Sequence, residues 1–346
     1  MLWRIACWLV AACLPACLWA TTPDAMPLLQ DGSFARGVQV VPPSRQHKAV
    51  HRQQAMSCLP LRDCSAVPVW QLQQWGSVLD IATAAQSADG WLLRDSAGRL
   101  QKRLQFADGH VLLEINGLAE FAARHDDGIA QYLPDLRRAW PHWLLSQQLT
   151  RVRLSDSNAL QLSGEVRLLF DNAQRAAGYD PAVHAARFLL AMTVRNRLTG
   201  NYFWLTLPLY DDRFPRSDFG CQKCLDGGER CYTPQRLADL GIWRCPEDRV
   251  GASWWENEKS GTGKMIFRIP SEAFMRGDIH AGAWVAVAGD LRPYVLAGID
   301  AVRQRDRTFP HDPFFYDIGL FSLGWEVTGF NHAAVELRGW QLNALR

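Results

Sequence analysis

The run from Tyr202 to Arg213, Tyr-Phe-Trp-Leu-Thr-Leu-Pro-Leu-Tyr-Asp-Asp-Arg, gathers the residue types that recognise sugars. Pyranose rings present flat C–H faces that stack on aromatic rings. Their hydroxyls need acceptors and donors in fixed pairs, which carboxylate and guanidinium groups supply. Alternation puts Phe203, Leu205, Leu207 and Leu209 on one face of a strand, and Tyr202, Trp204 and Thr206 on the other. Tyr210, Asp211, Asp212 and Arg213 follow at the strand end, where binding loops gather. The competing reading buries Trp204 under a second layer and leaves Asp211 and Asp212 to cap a turn.

Trp325 and Glu326, within Gly324–Gly329, extend this set. Glu326 has the chemistry of a general acid, base or nucleophile, but glycoside hydrolysis needs two carboxylates about 5 to 9 Å apart. Glu114, Glu165, Asp211 and Asp290 are the partners on offer. Asp290 fits a helix cap better than a catalyst. His184, inside an apolar stretch, fits a hydrogen-bonded structural histidine better than a base. Glu326, Asp290 and His184 are therefore the weaker, catalytic candidates. Tyr202, Trp204, Tyr210, Asp211, Arg213 and Trp325 are the ligand-binding ones.

The cysteines have the most specific spacing in the chain. Cys221-x2-Cys224-x6-Cys231-x13-Cys245 could hold a structural zinc, yet it lacks the second close pair of a zinc ribbon. Two disulfides stapling an insertion suit an exported chain better, with Cys58 and Cys64 close enough for a third. A redox role for Cys221 and Cys224 would need a βαβ context that the pattern does not offer. No metal site or cofactor is expected. His125–Gly128 and His311-Asp312 are turn-like and leave room only for a structural calcium, without the ligand count of a known loop. Ser260–Met265 resembles a phosphate loop only in outline, because Glu258 and Met265 stand where glycine and a hydroxyl residue belong.

Strands must position these residues. Gly109–Gly117 alternates, with Val111, Leu113 and Ile115 on one side. Leu160 to Phe170 points Leu160, Leu162, Val166, Leu168 and Phe170 inward, and Gly164 marks a bulge or a close approach. Arg187–Val194 is apolar enough for a central strand. Further strands are predicted over 264–269, 283–288, 315–322 and 334–342. Helices are few: one from Thr233 to Leu240, ended by Gly241, and one from Asp290 to about Arg303. With no βαβ rhythm, the class is mostly β, a β-sandwich with a few short helices and a disulfide-stapled insertion.

Residues 1–20 have the order of a signal peptide: Arg4, an apolar run, Pro15, then Trp19-Ala20 before a polar stretch. Cleavage after Ala20 is expected, with periplasmic or secreted residence. Lipobox-like strings ending at Cys13 and Cys17 make a lipid anchor the lesser alternative. Residues 21–56 are expected to be an irregular leading segment, and 57–346 a single large domain. Net charge is +2, which points neither to nucleic acid nor to an anionic membrane, and no later segment is apolar enough for a membrane span. Fifteen tryptophans imply a packed aromatic core or a stacking surface. A monomer is expected.

Leu28–Phe34 (Leu-Leu-Gln-Asp-Gly-Ser-Phe) resembles the opening strand of galactose-binding-like jelly rolls. Gly178-Tyr179-Asp180, His184–Leu189, Phe203-Trp204, Pro208–Arg213 and Gly324–Gly329 together resemble a family of secreted bacterial proteins of undefined function. That family is similar to concanavalin-type carbohydrate-binding jelly rolls, and the match covers about 140–346. The resemblance implies a jelly-roll β-sandwich and a glycan or polysaccharide partner, and it transfers no catalytic residue. The expectation is a secreted carbohydrate-binding protein. The alternatives are a glycoside hydrolase or polysaccharide lyase on the same scaffold, and a structural cell-envelope protein with no small ligand.

Overall fold

The computed structural model describes residues 25–41, 43, 58–59, 68–77, 79–107, 109–122, 141–174, 184–212, 251–254, 265–277, 279 and 282–346. In chain order its strands begin with β1 (Ala25–Pro27), β2 (Val38–Val40), β3 (Cys58–Leu59), β4 (Trp70–Gln73), β5 (Ala85–Gln86) and β6 (Gly90–Arg94). β7 (Leu100–Ala107) and β8 (His110–Asn116) lead into helix α1 (Gly117–Ala122). Then come β9 (His142–Gln148), β10 (Ala159–Ala173), β11 (Ala186–Asn196), β12 (Tyr202–Asp211), β13 (Gly251–Trp254), β14 (Met265–Arg268) and β15 (Trp284–Asp290). Helix α2 (Arg292–Arg305), β16 (Tyr316–Val327) and β17 (Asn331–Leu345) close the chain.

These strands make a mostly β sandwich of two sheets. The first runs β15-β10-β17-β8-β7-β6-β5, with β1 also paired to β17. The second runs β13-β14-β12-β11-β16-β9-β4-β2-β3. Alternation in sequence becomes two faces per sheet. Val111, Leu113 and Ile115 of the first sheet and Phe188, Leu190, Met192, Phe203, Leu205, Leu207, Leu323 and Trp325 of the second are buried in one core. Trp70, Trp91, Trp143 and Trp340 are buried with them, so among the described residues most tryptophans are structural. α2 lays Val295, Ile299 and Val302 into that core, and Gly298 lets the helix approach the rings of Phe203 and Phe267.

Gly164 shows both features read from the sequence. The β10–β17 register shifts between Ser163 and Glu165, and a Cβ at Gly164 would sit 2.4 Å from the Trp340 ring. Two expectations are corrected. Residues 21–56 are not simply irregular, because Val38 and Val40 are apolar enough to join the second sheet and Ala25–Pro27 pairs with the first. Phe170 does not point inward. A second register shift between Leu168 and Phe170 turns it onto His332, 5.0 Å between ring centroids. Cys58 lies in β3, while Cys64, Cys221, Cys224, Cys231 and Cys245, the helix expected from Thr233 to Leu240 and the 1–20 segment lie outside the described residues.

Candidate functional site

The two outer faces of the sandwich differ in chemistry. That of the first sheet is laced with ion pairs. Arg167 Nε donates to Glu336 (2.7 Å), Arg338 Nε to Glu165 (2.7 Å), and Arg103 pairs with Glu114 (2.5 Å), which also faces His332. Arg338 and Glu165 are exposed and their pair contributes little, whereas Glu114 and Glu336 are buried beneath their arginines.

The second sheet's outer face is ordered in rows. Because cross-strand partners share a face, the register lines up Gln39, Gln71, Ser146, Ser322, Ala191, Thr206 and Arg268 across β2, β4, β9, β16, β11, β12 and β14. Six of the seven are uncharged. At the ~4.8 Å spacing of strands the row is roughly 29 Å long. Beside it runs a mainly apolar row: Gln73, Leu144, Gly324, Leu189 and Pro208. Beyond that lies a row of alternating sign: His142, Glu326, Arg187 and Asp211.

Hydrogen bonds tie the polar row together. Gln73 Nε2 donates to Gln71 Oε1 and Gln71 Nε2 donates to Gln39 Oε1, both at 3.1 Å. The hydroxyls of Ser146 and Ser322 are 2.9 Å apart. On the flank opposite the charged row, Trp204 is half-buried, paired with Thr193 and Ile266 in register and edge-on to Tyr202 at 5.8 Å.

In the charged row, Glu326 accepts from Arg187 Nη2 (2.5 Å) and lies 3.1 Å from His142 Nε2. Its side chain is 17% exposed, that of Arg187 12%. Glu326 and Asp211 sit two strands apart, about 9.6 Å at the strand spacing, with Arg187 between them in the register.

The structure brings together only part of the sequence-predicted site. Tyr202, Trp204, Asp211 and Glu326 share the outer face. Trp325 does not: it is fully buried, its Nε1 donating to Leu113 O of the first sheet and its ring edge-on to Phe188, so no ligand can stack on it. Tyr210 is also turned inward. The β11–β12 register slips between Phe188 and Leu189, which sets its ring against Trp325. Its hydroxyl donates to Asp171 Oδ2 (2.9 Å), and burial with Asp171 alongside pushes its ionisation far above the ordinary phenol range. Asp211 is not on an exposed loop, because it is the last residue of β12 and only 3% exposed. Arg213 lies outside the described residues.

The remaining candidates serve the fold. Asp290 Oδ1 accepts the backbone N–H of Leu160 and of Arg292, joining β10 to the start of α2. His184 is buried just before β11. Asp312 caps a short turn through Phe314 N–H, and His311 lies 3.5 Å from Asp300. Among the described residues no group of three or more His, Cys, Asp or Glu is placed to hold a metal ion, and no helix is long and apolar enough to cross a membrane.

Sequence reasoning missed Gln39, Gln71, Gln73, His142, Ser146, Arg187 and Ser322. The alternation in Trp70-Gln71-Leu72-Gln73 was the available signal, since two amides where charged residues would be usual mark an unusual outer face.

No protein-family model and no curated protein matches the sequence, so the resemblance to a family of secreted bacterial proteins has no counterpart there. Solved structures overlap the fold loosely. A family 12 xyloglucanase from Bacillus licheniformis superposes with a TM-score of 0.36 at 11% identity, covering 75% of this chain and 91% of its own. The xyloglucanase domain of a type three effector from Sinorhizobium fredii, in complex with cellobiose, gives 0.35 at 10%, covering 81% and 94%. An endoglucanase from Rhodothermus marinus gives 0.34 at 9%, covering 71% and 87%. Scores and identities this low carry no information about activity.

Proposed function

We propose that the chain binds a neutral polysaccharide laid across the strands of the second sheet. The observation that supports this is the register-aligned row of amides and hydroxyls, Gln39, Gln71, Ser146, Ser322 and Thr206. Neutral amides and hydroxyls match sugar hydroxyls as donors and acceptors without the desolvation cost of free charges. The adjoining Leu144, Leu189 and Pro208 are buried and form the apolar floor beside the row, and half-buried Trp204 flanks it with an aromatic ring.

Binding is favoured over hydrolysis by Arg187. An inverting hydrolase places its two carboxylates about 6.5–9.5 Å apart, with the scissile bond and a water between them. Here Arg187 stands between Glu326 and Asp211 in the register and is hydrogen-bonded to Glu326. The guanidinium takes the place a glycosidic bond would need and occupies one oxygen of Glu326.

The test pairs retention with product analysis. In affinity electrophoresis through hydroxyethyl cellulose, xyloglucan or galactomannan, the wild type is expected to be retarded by at least one polymer without releasing oligosaccharides. Trp204→Ala should weaken that retention about ten-fold, equivalent to ~1.4 kcal/mol. Its melting temperature should fall far less than the ~3–5 kcal/mol of a core Trp deletion implies. Unchanged retention in Trp204→Ala removes that ring from the surface, and released oligosaccharides would favour the hydrolase.

A further inference from the structure

Beside the polar row, at the β4 end of the apolar row and hydrogen-bonded to Gln71, stands an unmet acceptor. Gln73 is fully buried on the outer face of β4, and its Oε1 has no hydrogen-bond partner among the described residues. Its Nε2 is committed to Gln71 Oε1, and Gln71 Nε2 in turn to Gln39 Oε1. All three amides therefore point the same way, a relay whose donors run toward Gln39 and whose open acceptor lies at Gln73. Aligned hydrogen bonds polarise one another, so the terminal oxygen of such a chain is a stronger acceptor than an isolated amide. A buried acceptor left unpaired costs stability. Leu144, its partner in register on β9, would tolerate an apolar side chain of the same size beside it.

The acceptor sits between two kinds of site. On one side is the amide and hydroxyl row. On the other, Trp75 follows two residues later, just past the end of β4, its ring 5.7 Å from that of His142, which bonds Glu326. We propose that Gln73 is a specificity-determining residue of the glycan face, its Oε1 accepting one sugar hydroxyl at the head of the Gln73–Gln71–Gln39 relay. This rests on the glycan reading above and deepens it. The site requires a donor at that position, so it takes a neutral hydroxyl and rejects a uronic-acid carboxylate, whose oxygens would face Gln73 Oε1 acceptor to acceptor. Gln73 is fully buried, so a sugar hydroxyl reaches its Oε1 only if neighbouring side chains on this face shift.

The experiment compares full-length wild type with Gln73→Leu and Gln71→Leu, by affinity electrophoresis and by thermal unfolding. The probes are hydroxyethyl cellulose, xyloglucan and galactomannan as neutral polymers, with alginate as the acidic one. Wild type should be retarded by a neutral polymer and not by alginate. Gln73→Leu should lose at least ten-fold in retention while melting at the same temperature or higher, since it removes a buried unpaired acceptor. Gln71→Leu, at the half-buried middle of the relay, should lose several-fold. If Gln73→Leu is retained like the wild type, or if it melts lower or fails to fold, the acceptor role is wrong and the glycan reading stands on Trp204. Equal retardation of the wild type by alginate also overturns the specificity. If no neutral polymer retards the wild type, the glycan reading itself fails, and the role of Gln73 with it.

Discussion

Asp212 illustrates how a single residue can tie stability to pH. It follows β12 directly, and its Oδ1 accepts the Ala186 N–H at 2.9 Å while Asn331 Nδ2 donates to Asp212 Oδ2 (3.0 Å) and to Asp171 Oδ1 (2.9 Å). Burial raises its ionisation to about 7, with Asp211 and Asp171 pushing the same way. The folded chain therefore holds a proton on Asp212 that the unfolded chain releases near pH 4. The stability it contributes is complete below that pH and is lost as pH rises through about 7. Asp212→Asn keeps an acceptor for Ala186 and cannot ionise. Relative to the wild type it should gain a few kcal/mol between pH 5 and pH 8, read as a growing difference in melting temperature. A difference that stays flat across that range would place the raised ionisation elsewhere.

Among the elements, β10 is the clearest case of sequence and packing agreeing. It carries Leu160, Leu162, Val166 and Leu168 inward, gives up its side chain at Gly164 to the Trp340 ring, and has one register shift at that contact and a second between Leu168 and Phe170. Gly164→Val forces the new methyls into an aromatic ring that is itself buried. About 1–3 kcal/mol of destabilisation is expected for such overpacking, seen as a lowered urea midpoint with an unchanged slope. Wild-type behaviour in Gly164→Val would mean that β17 can move away from β10. The same reasoning explains why Phe170 departs from its predicted face. Alternation assigns faces only while the register holds, and each bulge resets the count.

For the whole molecule, the contrast between the two outer faces is the organising feature. One is covered by arginine–carboxylate pairs, the other by amides and hydroxyls in register. Between them lies one core that also contains a buried ion pair: Lys102 Nζ is 2.6 Å from Glu120 Oε1, and both bond Ser77 Oγ, which holds α1 against the turn after β4. Were the chain exported to an oxidising compartment, covalent staples would add to this stability. Mass mapping of the mature protein without reduction should find Cys58 joined to Cys64, and two bridges among Cys221, Cys224, Cys231 and Cys245. Free thiols with one equivalent of zinc would replace the staples by a metal site.

Local pattern determined the β class, the strands β8, β10, β11, β12 and β14 to β17, the inward faces of β8 and β12, and the helix that follows Asp290. Period-two alternation and end signals are properties of neighbours along the chain, so they can be read from the sequence. The aromatic and acidic candidates were legible only as types. Tyr210 and Trp325 look like ligand contacts in sequence and became core contacts, because a register slip and the facing sheet decided where their rings point. The polar row could not have been read at all. Gln39, Gln71, Ser146, Ser322, Ala191, Thr206 and Arg268 come from seven strands in scrambled chain order. Only strand pairing sets them side by side, and pairing follows from the packing of the two sheets on a common core rather than from any local preference.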